Sequence, residues 1–136
     1  MNKNRFGIWM DKRRAIIIKL QTNGKPQIKI IKSNIEDYHP VGGARSKVAW
    51  GPVDSVSESK YLARKEQQLK RYFTNIIGQF EDQSNLYLFG PAEAKIRFRE
   101  FIRNFKSKRI EVEGFESSDT MTENQMVAKV REFFKD

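Results

Sequence analysis

The fold prediction depends on one stretch, Asn85-Leu86-Tyr87-Leu88-Phe89-Gly90-Pro91. Its apolar run from Asn85 to Phe89 is typical of a short strand in the middle of a sheet. Gly90-Pro91 then predicts the start of a helix, because a proline at the first helical position lacks only an N–H that has no partner there. A strand that leads directly into a helix predicts alternating β and α elements.

Helical spacing continues on both sides of this strand. Before it, we predict a helix from Ser57, as N-cap, to Phe80, with the apolar face Leu62, Leu69, Phe73, Ile76, Ile77 and Phe80. After it, the stripe of the second helix comprises Ala94, Phe98, Phe101, Ile102 and Phe105. Arg109 to Phe115 alternates as a strand, and Thr122 to Gln125 is a capping-box pattern that predicts the start of a last helix.

The N-terminal part predicts a three-stranded antiparallel meander. Arg5 to Asp11 and Ala15 to Leu20 have strand patterns and are joined by a short polar turn. A turn signal at residues 23–26 separates them from a third strand, Gln27 to Ser33. Ile31 breaks the alternation of that strand, so its end is expected to be buried on both faces.

Together these elements predict the order β-β-β-loop-α-β-α-β-α. This order indicates an α/β (α+β) fold in which a mixed sheet carries packed helices. The chain has 136 residues, of which 38% are apolar, and this is enough to form one hydrophobic core. A single domain is therefore expected over residues 1–136. No apolar run approaches the roughly 20 residues of a membrane helix, and no secretory signal is recognised. A cytoplasmic protein that does not enter a membrane is therefore expected.

The charge distribution indicates an anionic partner. Lys and Arg number 26 and Asp and Glu number 17, giving a net charge of +9. Residues 1–32 carry nine basic groups and one acidic group, and residues 93–109 carry seven and two. Residues 110–136 carry three basic and seven acidic groups, so the C-terminal region is acidic. Such a basic body is typical of proteins that bind nucleic-acid phosphates, although basic surfaces also serve solubility.

Catalytic chemistry is hard to find in this sequence. The single histidine, His39, lies in a loop, and there is no cysteine, so no metal site, cofactor or catalytic residue is predicted. A metal-dependent nuclease is an alternative, because Asp11 closes the first strand. The other acidic candidates, Glu81, Asp82 and Asp119, are not placed to share a metal with it. Asp11 is therefore expected to be a turn residue of the hairpin.

The best functional candidate is the long loop predicted at about 34–57 and the helix after it. Gly42 and Gly43 would let the loop approach a partner closely, Arg45 and Lys47 would contact phosphates, and Trp50 would stack on a base or anchor the loop. The alternative is a disordered loop with a turn-forming glycine pair. The helix continues the positive path with Lys60, Arg64 and Lys65.

Three stretches carry a resemblance to a known family. They are Gly7 to Asp11 with Ala15 to Ile18, then Leu86 to Lys95, and finally Thr120 to Phe134. In order and spacing they resemble the middle domain of the archaeal–eukaryotic class I release factors and Pelota, and especially its small bacterial relatives. The resemblance covers nearly the entire chain. It implies the release-factor middle-domain fold, which has a ribonuclease-H-like topology.

The resemblance also implies a function. In those release factors the long loop carries a Gly-Gly-Gln tip that promotes hydrolysis of peptidyl-tRNA. Here the matching tripeptide is Gly42-Gly43-Ala44, and alanine has no amide to orient a water molecule. The resemblance therefore implies a non-catalytic factor of the hibernation, rescue or stalling type. Its partner would be the ribosome, through ribosomal RNA and possibly tRNA.

Two other functions stay open from the sequence. The first is a hydrolase of peptidyl-tRNA or RNA that uses other groups of the loop. The second is a protein–protein interaction module whose partner binds the acidic C-terminal region.

Overall fold

The computed structural model describes residues 4–22, 24–35 and 51–135. The described elements occur in the predicted order. They are β1 (Asn4–Met10), β2 (Arg14–Lys19), β3 (Gln27–Lys32), α1 (Gly51–Ile77), β4 (Ser84–Gly90), α2 (Ala92–Arg103), β5 (Ile110–Ser117) and α3 (Glu123–Phe133). They form a small α+β domain with one mixed sheet and three helices.

The five strands lie in the order β3-β2-β1-β4-β5. The pairs β1–β2 and β2–β3 are antiparallel, as the meander predicts, whereas β1–β4 and β4–β5 are parallel. All residues of β4 are buried, which confirms the prediction of an inner strand. The three parallel strands β1, β4 and β5 therefore end at the same side of the sheet.

The turn between β1 and β2 depends on Asp11. Its Oδ1 accepts hydrogen bonds from the backbone N–H groups of Arg13 and Arg14, at 2.8 and 2.9 Å. An aspartate that binds the backbone two and three residues ahead is a common turn device. The prediction that Asp11 is a turn residue is confirmed.

Helices α1 and α2 cover one face of the sheet. Between them and the strands lies the larger core cluster, in which Phe73 of α1 contacts the rings of Phe98 and Phe101, with centroids 5.2 and 5.5 Å apart. Tyr72 also belongs to this cluster and is 1% exposed, although the apolar pattern of the sequence did not include it. Its hydroxyl is satisfied because it donates to the carbonyl oxygen of Asp11 at 3.0 Å.

Helix α3 covers the other face of the sheet. Met126 and Val130 pack there on a second cluster that contains Trp9, Ile16, Ile18, Tyr87 and Phe89. The predicted capping box is confirmed, because Thr122 Oγ1 accepts from the N–H of Gln125 at 3.1 Å and Gln125 Oε1 accepts from the N–H of Thr122 at 2.9 Å. The fold is thus a sheet between two helical layers.

The start of α1 differs from the prediction. The helix begins at Gly51, so Ser57 lies inside it and is not the N-cap. The loop predicted at about 34–57 is shorter at its C-terminal end. A Gly-Pro pair such as Gly51-Pro52 is typical of a loop, but a proline in the first helical turn is tolerated because that turn has no partner for its missing N–H.

Burial differs from the prediction at three apolar positions. Leu62 is 54% exposed, because the helix extends past the sheet at that point. Ile28 and Ile30 are 37% and 48% exposed on the edge strand β3, so the expectation that the end of this strand is buried on both faces is wrong. Ile31 is half-buried and packs on the α1 side. Ile28 and Ile30 share the α3 face with their partners Ile18 and Ile16, but α3 packs on the central strand β1, so the edge strand is not covered on that face.

Gly90 makes the turn from β4 to α2 possible. Its φ of +135° lies in a region that favours glycine. A Cβ at this position would also collide with the backbone of Met10 on the adjacent strand. Pro91 follows as the N-cap of α2 and not as its first helical residue, which corrects the prediction by one position.

Candidate nucleic-acid interface

The N-terminal half of α1 projects beyond the body of the domain. Tyr72 contacts Asp11 at the end of β1, and the Phe80 ring lies 4.8 Å from the ring of Phe6 near the beginning of β1. The helix therefore runs antiparallel to β1. None of residues 57–68 is buried, and burial begins at Leu69. At 1.5 Å per residue, these twelve residues form about 18 Å of helix without a buried side chain.

The projecting half carries three of the predicted site residues, Lys60, Arg64 and Lys65, and all three are exposed. Lys60 and Arg64 are one turn apart and share the face that points away from the core. Lys65 lies about 100° further round the helix. Two cations are therefore aligned along the helix and the third is displaced to its side.

The turn between β1 and β2 lies at the same end of the sheet. Lys65 precedes Tyr72 by seven residues, so both occupy the same side of α1, two turns apart. Because Tyr72 contacts Asp11, this side faces the turn, where Lys12 and Arg13 are exposed. We call the five residues Lys12, Arg13, Lys60, Arg64 and Lys65 the basic corner.

Three acidic residues whose side chains the structure describes lie near the basic corner. Asp11 accepts the two hydrogen bonds of its own turn. Glu66 is paired with Arg97 of α2, whose guanidinium nitrogen lies 2.6 Å from Glu66 Oε2. Glu58 is exposed on the projecting half. A concentration of positive charge on a protruding helix raises the local concentration of phosphate groups.

The other predicted site residues, Gly42, Gly43, Arg45, Lys47 and Trp50, lie outside the described residues, as does His39. The structure adds Lys12 and Arg13, which lie in the polar turn predicted between the first two strands. The signal for them was present as a basic run that closes the first hairpin. What the sequence did not contain was the contact that places this turn beside a helix more than fifty residues later.

Two of the acidic candidates for a nuclease site, Glu81 and Asp82, lie far from Asp11 and contact other groups. Glu81 pairs with Lys19 at 2.5 Å, and Asp82 Oδ1 accepts from the N–H of Arg109 at 2.7 Å. Both lie near the beginning of β4, whereas Asp11 lies at the opposite end of the sheet. Within residues 4–22, 24–35 and 51–135, no three histidine or acidic side chains form a metal-binding group.

The helices of the described part of the chain include none that is long and apolar enough to cross a membrane. No protein-family model matches this sequence, and no curated protein matches it closely enough to be called a relative. A functional conclusion therefore depends on the residues and their arrangement.

Proposed function

We propose that this protein is a non-catalytic, cytoplasmic RNA-binding factor that acts at the ribosome, in a hibernation, rescue or stalling role. The observation that carries the proposal is the basic corner, five exposed cations on a projecting helix and the adjacent turn. Lys and Arg groups arranged in this way bind phosphates with little dependence on base sequence.

The shape of the surface supports RNA as the ligand. A helix that stands clear of the core reaches into a groove or between RNA segments without a clash from the sheet. The segment before α1 carries Arg45, Lys47 and Trp50, and it is joined to the tip of the projecting half. The loop and the basic corner would therefore act as one surface, in which the loop inserts and the helix holds phosphates.

The resemblance to the release-factor middle domain supports the ribosome as the source of that RNA. The strand order β3-β2-β1-β4-β5, in which only β2 is antiparallel to the others, agrees with the ribonuclease-H-like topology that the resemblance implies. The alanine at position 44 supports a role without peptidyl-tRNA hydrolysis. Occupation of a functional centre would silence or protect an idle ribosome.

The test is co-sedimentation with purified ribosomes through a sucrose cushion, at low salt and at near-physiological salt. The wild-type protein is expected in the ribosomal pellet at both. The triple variant Lys60→Gln, Arg64→Gln, Lys65→Gln is expected to lose at least tenfold in affinity at near-physiological salt. Each phosphate contact releases counterions from the RNA, and this favourable contribution is lost with the contact. The control is Lys25→Gln, Lys32→Gln, Lys135→Gln, with the same charge loss on exposed residues elsewhere.

Equal affinity of the two triple variants would show that the basic corner is not the binding surface. Loss of all wild-type binding at near-physiological salt would leave only nonspecific phosphate attraction and would contradict the proposal. A peptide-release assay on the same ribosomes addresses the hydrolase alternative, which predicts turnover. Co-migration with a protein complex free of ribosomes would instead support a protein partner at the acidic C-terminal region.

A further inference from the structure

A second basic surface lies on the other side of α2, away from the basic corner. There a groove of about 1000 Å³ runs between α2 and the edge strand β5. Five cationic residues line it: Arg99, Arg103, Lys106, Lys108 and Arg109. Two acidic residues, Glu111 and Glu113, line the strand side, so the lining carries a net charge of +3. We call it the α2–β5 groove.

Arg99 is the innermost cation of the groove, and its guanidinium group lies over an aromatic ring. Its guanidinium carbon lies 3.8 Å from the centroid of the Phe115 ring. Its Nε is buried and, within the described part of the chain, has no hydrogen-bond acceptor. A buried donor without an acceptor costs free energy. Arg99 thus lines the groove at the point where the groove meets the core.

A second cation lies beside Arg99. The Nζ of Lys95 is 5.1 Å from the centroid of the same Phe115 ring and 3.0 Å from Ser117 Oγ. Burial, and next the nearby charge of Arg99, lower the pKa of Lys95. Two cations against one ring repel each other, so an anion near Arg99 would be stabilised by both.

The remaining cations of the groove divide into two groups. Lys108 has a structural role, because its Nζ donates to the carbonyl oxygens of Ile77 and Phe80, at 3.0 and 2.6 Å, where α1 ends. Arg103, Lys106 and Arg109 are exposed. The ion pair of Arg103 with Glu100 is solvent-exposed and therefore weak, so it does not prevent a second contact.

The geometry of the groove favours a single nucleic-acid strand over an acidic peptide. A peptide would have to add to β5 as a further strand, but β5 has a register shift opposite Leu86 and Tyr87 and presents exposed Glu111 and Glu113. Irregular pairing and like charge both discourage strand addition. A flexible single strand needs no strand pairing, and its phosphates can follow the cations of the helical wall.

We propose that the α2–β5 groove binds the phosphates of single-stranded RNA, with Arg99 as the innermost contact. The inference deepens the proposed function and depends on it for the identity of the nucleic acid. It adds a second site on the far side of α2, where a strand that leaves the basic corner or a separate RNA end would be held.

The test is fluorescence anisotropy with a labelled oligouridylate of about six nucleotides, a length within the range of single-strand sites. The groove variant is Arg103→Gln, Lys106→Gln, whose residues are exposed and tolerate substitution. We expect about a tenfold loss of affinity at 0.1 M salt and a salt slope less steep by about 1.4, since each contact contributes about 0.7. Arg99→Gln is expected to weaken binding as well.

The matched control is Lys25→Gln, Lys32→Gln, two exposed cations far from the groove. Affinity equal to this control in the groove variant would overturn the inference. Displacement of the oligonucleotide by an acidic peptide at equal concentration would also overturn it. These outcomes leave the ribosome sedimentation result unaffected, because that result depends on the basic corner; the two proposals therefore fail separately.

Discussion

At the scale of single residues, one carboxylate on the α3 face links β5 to two neighbours. The hydroxyl of Tyr87 donates to Glu116 Oε1 at 2.6 Å, and the Nζ of Lys129 lies 3.5 Å from the same oxygen. The hydrogen bond from Tyr87 lowers the pKa of Glu116, and Lys129 adds to this against the opposing effect of burial. Burial and the contact with Glu116 raise the pKa of Tyr87.

This contact makes part of the stability depend on pH. A carboxyl group whose pKa is lowered by folding stabilises the fold above its unfolded pKa, about 4.3, and loses that contribution as the pH falls through the folded pKa. Tyr87→Phe keeps the ring and is expected to cost about 1 kcal/mol at pH 7. Urea unfolding between pH 7 and pH 3 should show this difference shrink in acid. A difference that stays constant would contradict the assignment, and Glu116→Gln serves as the control.

At the scale of elements, glycines let α3 lie close to the sheet. A Cβ at Gly7 of β1 would overlap the side chain of Val130, and one at Gly114 of β5 would overlap the ring of Phe133. The helix therefore packs directly on the backbone of the central strand. Close packing of this kind is sensitive to a single added methyl group.

A double-mutant cycle tests this packing. Gly7→Ala is expected to destabilise the protein by about 2 kcal/mol through overpacking, and Val130→Ala by about 2 kcal/mol through loss of buried volume. Together they should cost at least about 1 kcal/mol less than the sum, because the smaller side chain accepts the new methyl group. Gly7→Ala combined with Ile76→Val, on the opposite face, should be additive. Additivity in both pairs would show that Gly7 does not set the position of α3.

At the scale of the whole molecule, positive charge exceeds negative charge, and the ion pairs between them lie at the surface. The net charge is +9, and the ion pairs Lys19–Glu81, Arg97–Glu66, Arg103–Glu100 and Lys129–Glu116 are all partly exposed to solvent. Exposed pairs of this kind contribute little to stability. Repulsion among the cations of the basic corner and the α2–β5 groove therefore opposes folding, and an anionic ligand relieves it.

Salt should consequently stabilise the free protein. Between 0.02 and 0.3 M sodium chloride we expect the midpoint of thermal unfolding to rise by about 4 °C, which corresponds to about 1 kcal/mol for a domain of this size. The rise should be smaller in the triple variant of Lys60, Arg64 and Lys65. Calorimetry measures both. A midpoint that falls as salt is added would mean that attractive pairs outweigh the repulsion.

Local patterns in the sequence determined the order of elements. The hairpin turn at Asp11, the capping box at Thr122 and the apolar run of β4 each involve groups a few residues apart, so composition and spacing were sufficient. The same holds for Lys60, Arg64 and Lys65, whose positive charge is a property of their own segment. Where local signals conflicted, as at Gly51-Pro52, the prediction misplaced the start of α1.

Only the tertiary structure determined which segments contact one another. The exposure of Leu62 follows from where the sheet ends, and the burial of Tyr72 from its contact with a turn more than fifty residues earlier. The same contact brings Lys12 and Arg13 beside the projecting helix, and strand pairing places α2 against the open edge of β5 to form the groove. Contacts between distant segments form when several elements bury apolar surface together, so no single stretch of sequence encodes them.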